Sequence, residues 1–87
     1  MTSGLHEYIR VGAVFEKGWP KPIWIDYNGH KITVKNIFYR WKEKFASYHI
    51  VKFSFSDLED ILYEIEFNPV DMKWHLLAFG EHTAHCL

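Results

Sequence analysis

The chain has 87 residues, enough for one hydrophobic core and too few for two. Aromatic residues make up 18% of it, and each buried ring removes roughly 150–250 Å² from water, which offsets the small size. A net charge of −1, one cysteine and no apolar run of membrane-spanning length argue against a bulk electrostatic nucleic-acid binder, an internal disulfide and a transmembrane helix.

Apolar positions alternate with period two through most of the chain, which is a strand signal. Glu7 to Glu16 reads as a first strand with Ile9, Val11, Ala13 and Phe15 inward, and Gly18-Trp19-Pro20-Lys21-Pro22 as an irregular link. Ile23 to Val34 is a hairpin around Asn28-Gly29, because a type I′ turn needs positive φ at both central residues. The two-residue turn pairs Tyr27 with His30, Ile25 with Ile32 and Ile23 with Val34 on one face, and sets Asp26 against Lys31 on the other.

Asn36 to Tyr48 admits two readings. Ile37, Trp41 and Phe45 recur every four residues, as in a short helix near 37–47 capped by Asn36; Ile37, Tyr39 and Trp41 fit a strand continued after a bulge. The strand to Trp41 is preferred, followed by a charged turn through Lys42-Glu43-Lys44, with Trp41 in the core. A second hairpin with a loop from Ser56 to Asp60 sets Phe55 opposite Ile61, Phe53 opposite Tyr63 and Val51 opposite Ile65. A third turn at Asn68-Pro69-Val70-Asp71 sets Phe67 opposite Trp74, Ile65 opposite Leu76 and Tyr63 opposite Ala78.

The expected fold is therefore all-β, with at most one short helix near 37–47: a small antiparallel barrel or rolled meander sheet of about six strands. Residues 1–80 form the domain and 81–87 a disordered tail. The single thiol and the absence of a leader pattern point to the cytoplasm. Residues 1–52 carry nine basic and four acidic side chains, and residues 53–87 one and seven, which marks either a polar face for each sign or two halves that attract one another, the second being preferred.

Pro22-x-Trp24, Gly29, Val34-x-x-Ile37-x-x-x-Trp41, the Val51 and Tyr63-x-Ile65 strands and Trp74-x-Leu76 resemble a family of small bacterial β-barrel domains of unknown function. The likeness covers roughly residues 8–80 and rests on core and turn positions. It implies a small β-barrel, and some members occur beside translesion DNA polymerase proteins. It implies no catalytic residue.

The outer face of the first hairpin is the candidate site. Trp24 lies opposite Thr33 with Lys31 and Lys35 on its diagonals, and small barrels hold single strands by stacking bases on an aromatic ring flanked by cations, at about 1–3 kcal/mol per base. The candidate nucleic-acid-binding set is Trp24, Lys31, Lys35, Arg40 and Lys42, which Arg10, Lys17 and Lys21 can extend, and Trp24→Ala is expected to weaken binding more than Trp19→Ala. The plainer reading has Trp24 covered by the N-terminal strand or by Trp19, above an ordinary solvated face.

Leu77 and Phe79, expected on the outer face of the last strand, form a candidate protein interface for an adaptor or a weak homodimer. His82, His85 and Cys86 offer three zinc-type donors where a structural site needs four, so no metal is expected there, and no cofactor elsewhere. Asp57, Glu59 and Asp60 read as a solvated acidic loop, His30 as a rim residue, and His75 with Glu66 as a cross-strand polar pair. No nucleophile elbow or phosphate loop is present. The expected function is a binding module and not an enzyme, with single-stranded nucleic acid or a DNA-processing protein as partner and no membrane contact.

Overall fold

The computed structural model describes residues 5–81, and their regular structure is entirely β. Seven strands follow one another: β1 Glu7–Glu16, β2 Trp19–Tyr27, β3 His30–Thr33, β4 Asn36–Phe45, β5 Tyr48–Ser56, β6 Ile61–Asn68 and β7 Lys73–Glu81. They form one antiparallel sheet in the order β3-β2-β1-β7-β6-β5-β4, curled into a half-barrel. The two edge strands, β3 and β4, are consecutive in the chain, so the sheet rolls until its edges meet at Val34-Lys35. Ile9, Ile25, Val51, Phe53, Phe55, Tyr63, Ile65, Phe67, Trp74 and Leu76 fill the concave side. Among the described residues, no helix is long and apolar enough to cross a membrane.

The small, partly open barrel is thus the fold observed, with seven strands in place of about six. The additional one arises because the stretch from His30 to Trp41 changes partner at a corner. The Val34 N–H still bonds Ile23 O of β2 at 2.9 Å, while the next amide, Lys35, bonds Ser56 O of β5 at 2.8 Å. No strand partner follows the chain around such a turn.

The Asn28-Gly29 hairpin has the expected register, with φ of 53° and 80° at the two turn residues. A second turn of the same kind, Lys17-Gly18 with φ of 52° and 82°, joins β1 to β2 where an irregular link was expected. Pro20 and Pro22 stay within β2 because they pair in register with Phe15 and Ala13 while the opposite edge of this segment carries no neighbouring strand.

Four further expectations need correction, and three trace to one-residue bulges, which exchange the faces of every residue beyond them. No helix forms over 37–47. Instead β4 runs to Phe45 and turns at Ala46-Ser47 into β5, and Phe38 is the extra residue between Ile37↔Phe55 and Tyr39↔Ser54. Ile37 therefore faces the core, while Trp41 lies opposite Lys52 on the convex face, half-buried, its Nε1–H on Glu43 at 3.2 Å. In β2 the extra residue is Ile23, between Gly12↔Trp24 and Ala13↔Pro22, so its side chain is exposed. In β7 it is Leu77: Ile65 meets Leu76 as expected, but Tyr63 meets Phe79 and not Ala78.

The β5–β6 register is displaced by two residues from the expectation, with Phe55 opposite Tyr63 and Phe53 opposite Ile65. A displacement of two keeps every side chain on its own face, which is why the apolar pattern accepts either register. Asp57 decides between them. Its Oδ1 accepts the amides of Glu59 (2.8 Å) and Ile61 (2.9 Å), and its Oδ2 accepts the Tyr63 hydroxyl at 3.0 Å. Asp57 is thus a buried loop anchor, not part of a solvated acidic loop. The expected tail, with His82, His85 and Cys86, lies outside the described residues apart from Glu81, which ends β7 opposite Ile61.

Candidate functional site

The five residues read as one nucleic-acid platform occupy three places. Trp24 and Lys31 do lie together on the outer face of the first meander, with the Lys31 ammonium 4.8 Å from the indole centroid. The same indole packs on β1 at Gly12, where an added Cβ would overlap the ring. Ring and backbone can approach so closely only because Gly12 has no side chain. Trp24 is therefore half-buried, held by β1 and by Lys31. Nearby, Arg10 reaches Asp26 at 4.0 Å. Lys35, at the corner, pairs with Asp60 at 3.3 Å.

Arg40 and Lys42 are elsewhere. The Phe38 bulge turns them onto the concave side, opposite Phe53 and Val51, and they cover the indole of Trp19 at 4.7 and 4.6 Å from its centroid. These contacts span the gap between β2 and β4, where no backbone ladder forms, at about 0.5–1 kcal/mol each. Trp19 opens one mouth of the half-barrel. A cavity of about 400 Å³ is lined by Glu16, Lys17, Trp19, Lys21 and Arg40, so with Lys42 four cations face one carboxylate. On the far side of Lys42 the surface continues over Phe15, Phe67 and Met72.

The opposite mouth lies between β3 and the β5–β6 loop. Its cavity of about 570 Å³ is floored by Tyr27, Tyr63 and Phe79 and rimmed by Lys31, Asp57 and Glu59. Burial first, then the hydrogen bond to Asp57, push the Tyr63 phenol well above its ordinary pKa. Both carboxylate oxygens of Asp57 are engaged, so the pair holds the β5–β6 loop in place. Of the nine basic side chains of the first half, Lys17, Lys21, Arg40 and Lys42 gather around Trp19, while Asp57, Glu59 and Asp60 of the second half share the β5–β6 loop.

Leu77 and Phe79 do not form a shared outer patch. Phe79 stacks on Tyr63 at 6.2 Å between centroids and tilts against Tyr27 at 6.0 Å, and Leu77, the bulge residue, is half-buried. Glu66 does face His75 across the β6–β7 ladder, and His30 is exposed at the rim. Sequence reasoning missed Trp19 as the centre of the cationic cluster. Its signal is the turn Lys17-Gly18, which fixes the strand start and so the side on which the indole emerges. It also missed Gly12, whose signal is a lone glycine inside a strand pattern.

With this geometry in view, the comparisons with known proteins add no relative: no family model matches the chain, and neither the curated proteins nor the solved structures searched contain a match.

Proposed function

We propose that this chain is a binding module, not an enzyme, and that it holds a flexible polyanion, single-stranded nucleic acid first, at the Trp19 mouth. The observation that carries the reading is the convergence of Arg40 and Lys42 on the Trp19 indole, extended by Lys17 and Lys21. A phosphate draws the two cations off the ring, and the freed indole face then accepts a base. The exchange replaces two weak cation–π contacts with phosphate pairing and stacking worth about 1–3 kcal/mol per base. The exposed Phe15, beyond Lys42, offers the next ring along the path. The family resemblance adds a DNA-processing protein as the neighbour such a module would serve, in the cytoplasm.

The test is fluorescence anisotropy of a labelled mixed-sequence single strand at low salt. Each phosphate contact contributes about −0.7 to the slope of log K against log salt, so a site using Lys17, Lys21, Arg40 and Lys42 gives a slope of roughly −3. Because the Trp24 ring is packed on Gly12, Trp19→Ala weakens binding more than Trp24→Ala, the reverse of the order expected from sequence. No binding at tens of micromolar protein removes the reading, and so does a larger loss with Trp24→Ala.

A second reading, a protein adaptor, has its own observation. Phe15, Val70 and Met72 are 56%, 66% and 62% exposed, and Phe15 and Met72 border one cavity. Phe15→Ser with Met72→Ser abolishes partner binding on that reading and leaves the salt slope unchanged.

A further inference from the structure

Three donor groups that the binding reading does not use meet on the convex face. Leu5 donates its N–H to Leu77 O at 3.2 Å, which prolongs the β1–β7 contact and puts His6 on the same face as Tyr8, the ladder partner of His75. From the other side Glu66 of β6 stands in register with His75. Three adjacent chain segments thus bring one donor each to one spot. The His6 Nε2 lies 2.9 Å from a Glu66 carboxylate oxygen, and the two imidazoles stack at 4.0 Å with 12° between their planes. One donor atom from each of the three residues lies within 4.8 Å of the other two.

Two details mark this as more than a polar pair. The His75 Nδ1 is buried and has no hydrogen-bond partner, a loss of about 1 kcal/mol that native proteins seldom leave uncompensated. Lys52, which faces Glu66 across β5–β6, turns its ammonium away from the cluster to Glu43 at 3.0 Å, so it does not pair with Glu66.

We infer that His6, Glu66 and His75 bind a first-row divalent cation of the zinc class. Two imidazoles and one carboxylate suit zinc, cobalt, nickel or copper, whereas magnesium and calcium prefer oxygen donors throughout. Zinc bonds of about 2.0–2.2 Å put tetrahedral donors roughly 3.4 Å apart, so the cluster must contract. His6 supplies that movement. Its side chain is 61% exposed and leaves the stack by rotation, while the ladder holds Glu66 and His75 in place. Three protein donors leave the fourth position to water or a small anion. The site is independent of the Trp19 mouth.

His82, His85 and Cys86 are zinc-type donors in their own right, so the experiment uses the full chain carrying His82→Ala, His85→Ala and Cys86→Ala. Calorimetry with Zn²⁺ and visible absorption with Co²⁺ are expected to show one ion per chain. In that background His6→Ala, Glu66→Gln and His75→Ala each weaken binding at least about tenfold, the loss that even groups behind the ligands produce. His6 is exposed and Glu66→Gln is isosteric, so these two carry the comparison even where His75→Ala unfolds the domain. No ion bound at tens of micromolar, or affinity unchanged by both His6→Ala and Glu66→Gln, overturns the inference.

Discussion

Removing the Asp57 carboxylate should unhook the β5–β6 loop, and the size of the effect follows from its three acceptor contacts. Asp57 is 7% exposed and Tyr63 6%, so in Asp57→Ala the Tyr63 hydroxyl loses its partner where water has little access. Stranding a buried donor costs about 1–3 kcal/mol. The Glu59 and Ile61 amides lose their acceptor too, at about 0.5–1.5 kcal/mol each, less what water recovers at this part-buried position. The carboxylate no longer has to be desolvated, which offsets part of the total, and about 3 kcal/mol remains. For a domain of this size that lowers Tm by roughly 12–24 °C. Tyr63→Phe alone strands only one carboxylate lone pair and costs about 1–2 kcal/mol. Urea melts of the two single variants and the double variant complete the cycle. The double variant should be less unstable than the sum by about 1–2 kcal/mol. Additivity within about 0.5 kcal/mol would refute the claim that the hydroxyl and the carboxylate stabilise each other. The raised Tyr63 pKa adds an independent reading. A phenol whose folded pKa lies above its unfolded one contributes stability that is present below the unfolded value, near 10, and is lost as pH rises through the folded one. Tyr63→Phe should therefore flatten the alkaline fall in stability above about pH 10.

Gly12→Ala should cost about 1–3 kcal/mol, as overpacked sites do, and shift the fluorescence of Trp24 as its indole is driven off β1. Ile65→Ala, at a fully buried position, should cost about 2–5 kcal/mol in urea melts, and Trp41→Ala, on the convex face, clearly less. Phe79→Ser should destabilise by at least about 2 kcal/mol without altering the sedimentation coefficient of the folded protein, because the ring packs on Tyr63 and Tyr27 within one chain.

Turn chemistry and face alternation were legible; ladder irregularities were not. Asn28-Gly29 fixed its hairpin because few dipeptides accept two positive φ values, and Lys17-Gly18 went unnoticed because lysine gives no such signal. The bulges at Ile23, Phe38 and Leu77 insert residues of the same apolar type as their neighbours, so composition does not mark them. Each nevertheless exchanges inside for outside downstream, and this is how Arg40 and Lys42 come to Trp19, and Phe79 to the core. The β5–β6 register failed for the opposite reason: a shift of two residues leaves both faces unchanged, and only the Asp57 contacts distinguish the alternatives. The candidate site was legible as a list of residue types, aromatic beside basic, but the choice of ring depended on a bulge.

Every ladder in the sheet but one joins strands that are neighbours in the chain. Such contacts form early and cheaply, because little chain entropy is spent in closing them. The exception, β1 with β7, closes nearly the whole chain into a loop through three residue pairs, Glu7 to Ile9 against Trp74 to Leu76. On this topology the two meanders, residues 7–33 and 36–81, are expected to pair internally first and to close last, like the covers of a book on the spine at Val34-Lys35. Amide exchange at Tyr8 and His75 should then report partial opening well before the amides of Phe53 and Ile65 exchange, and mutations along that short ladder should change the folding rate more than mutations in either hairpin.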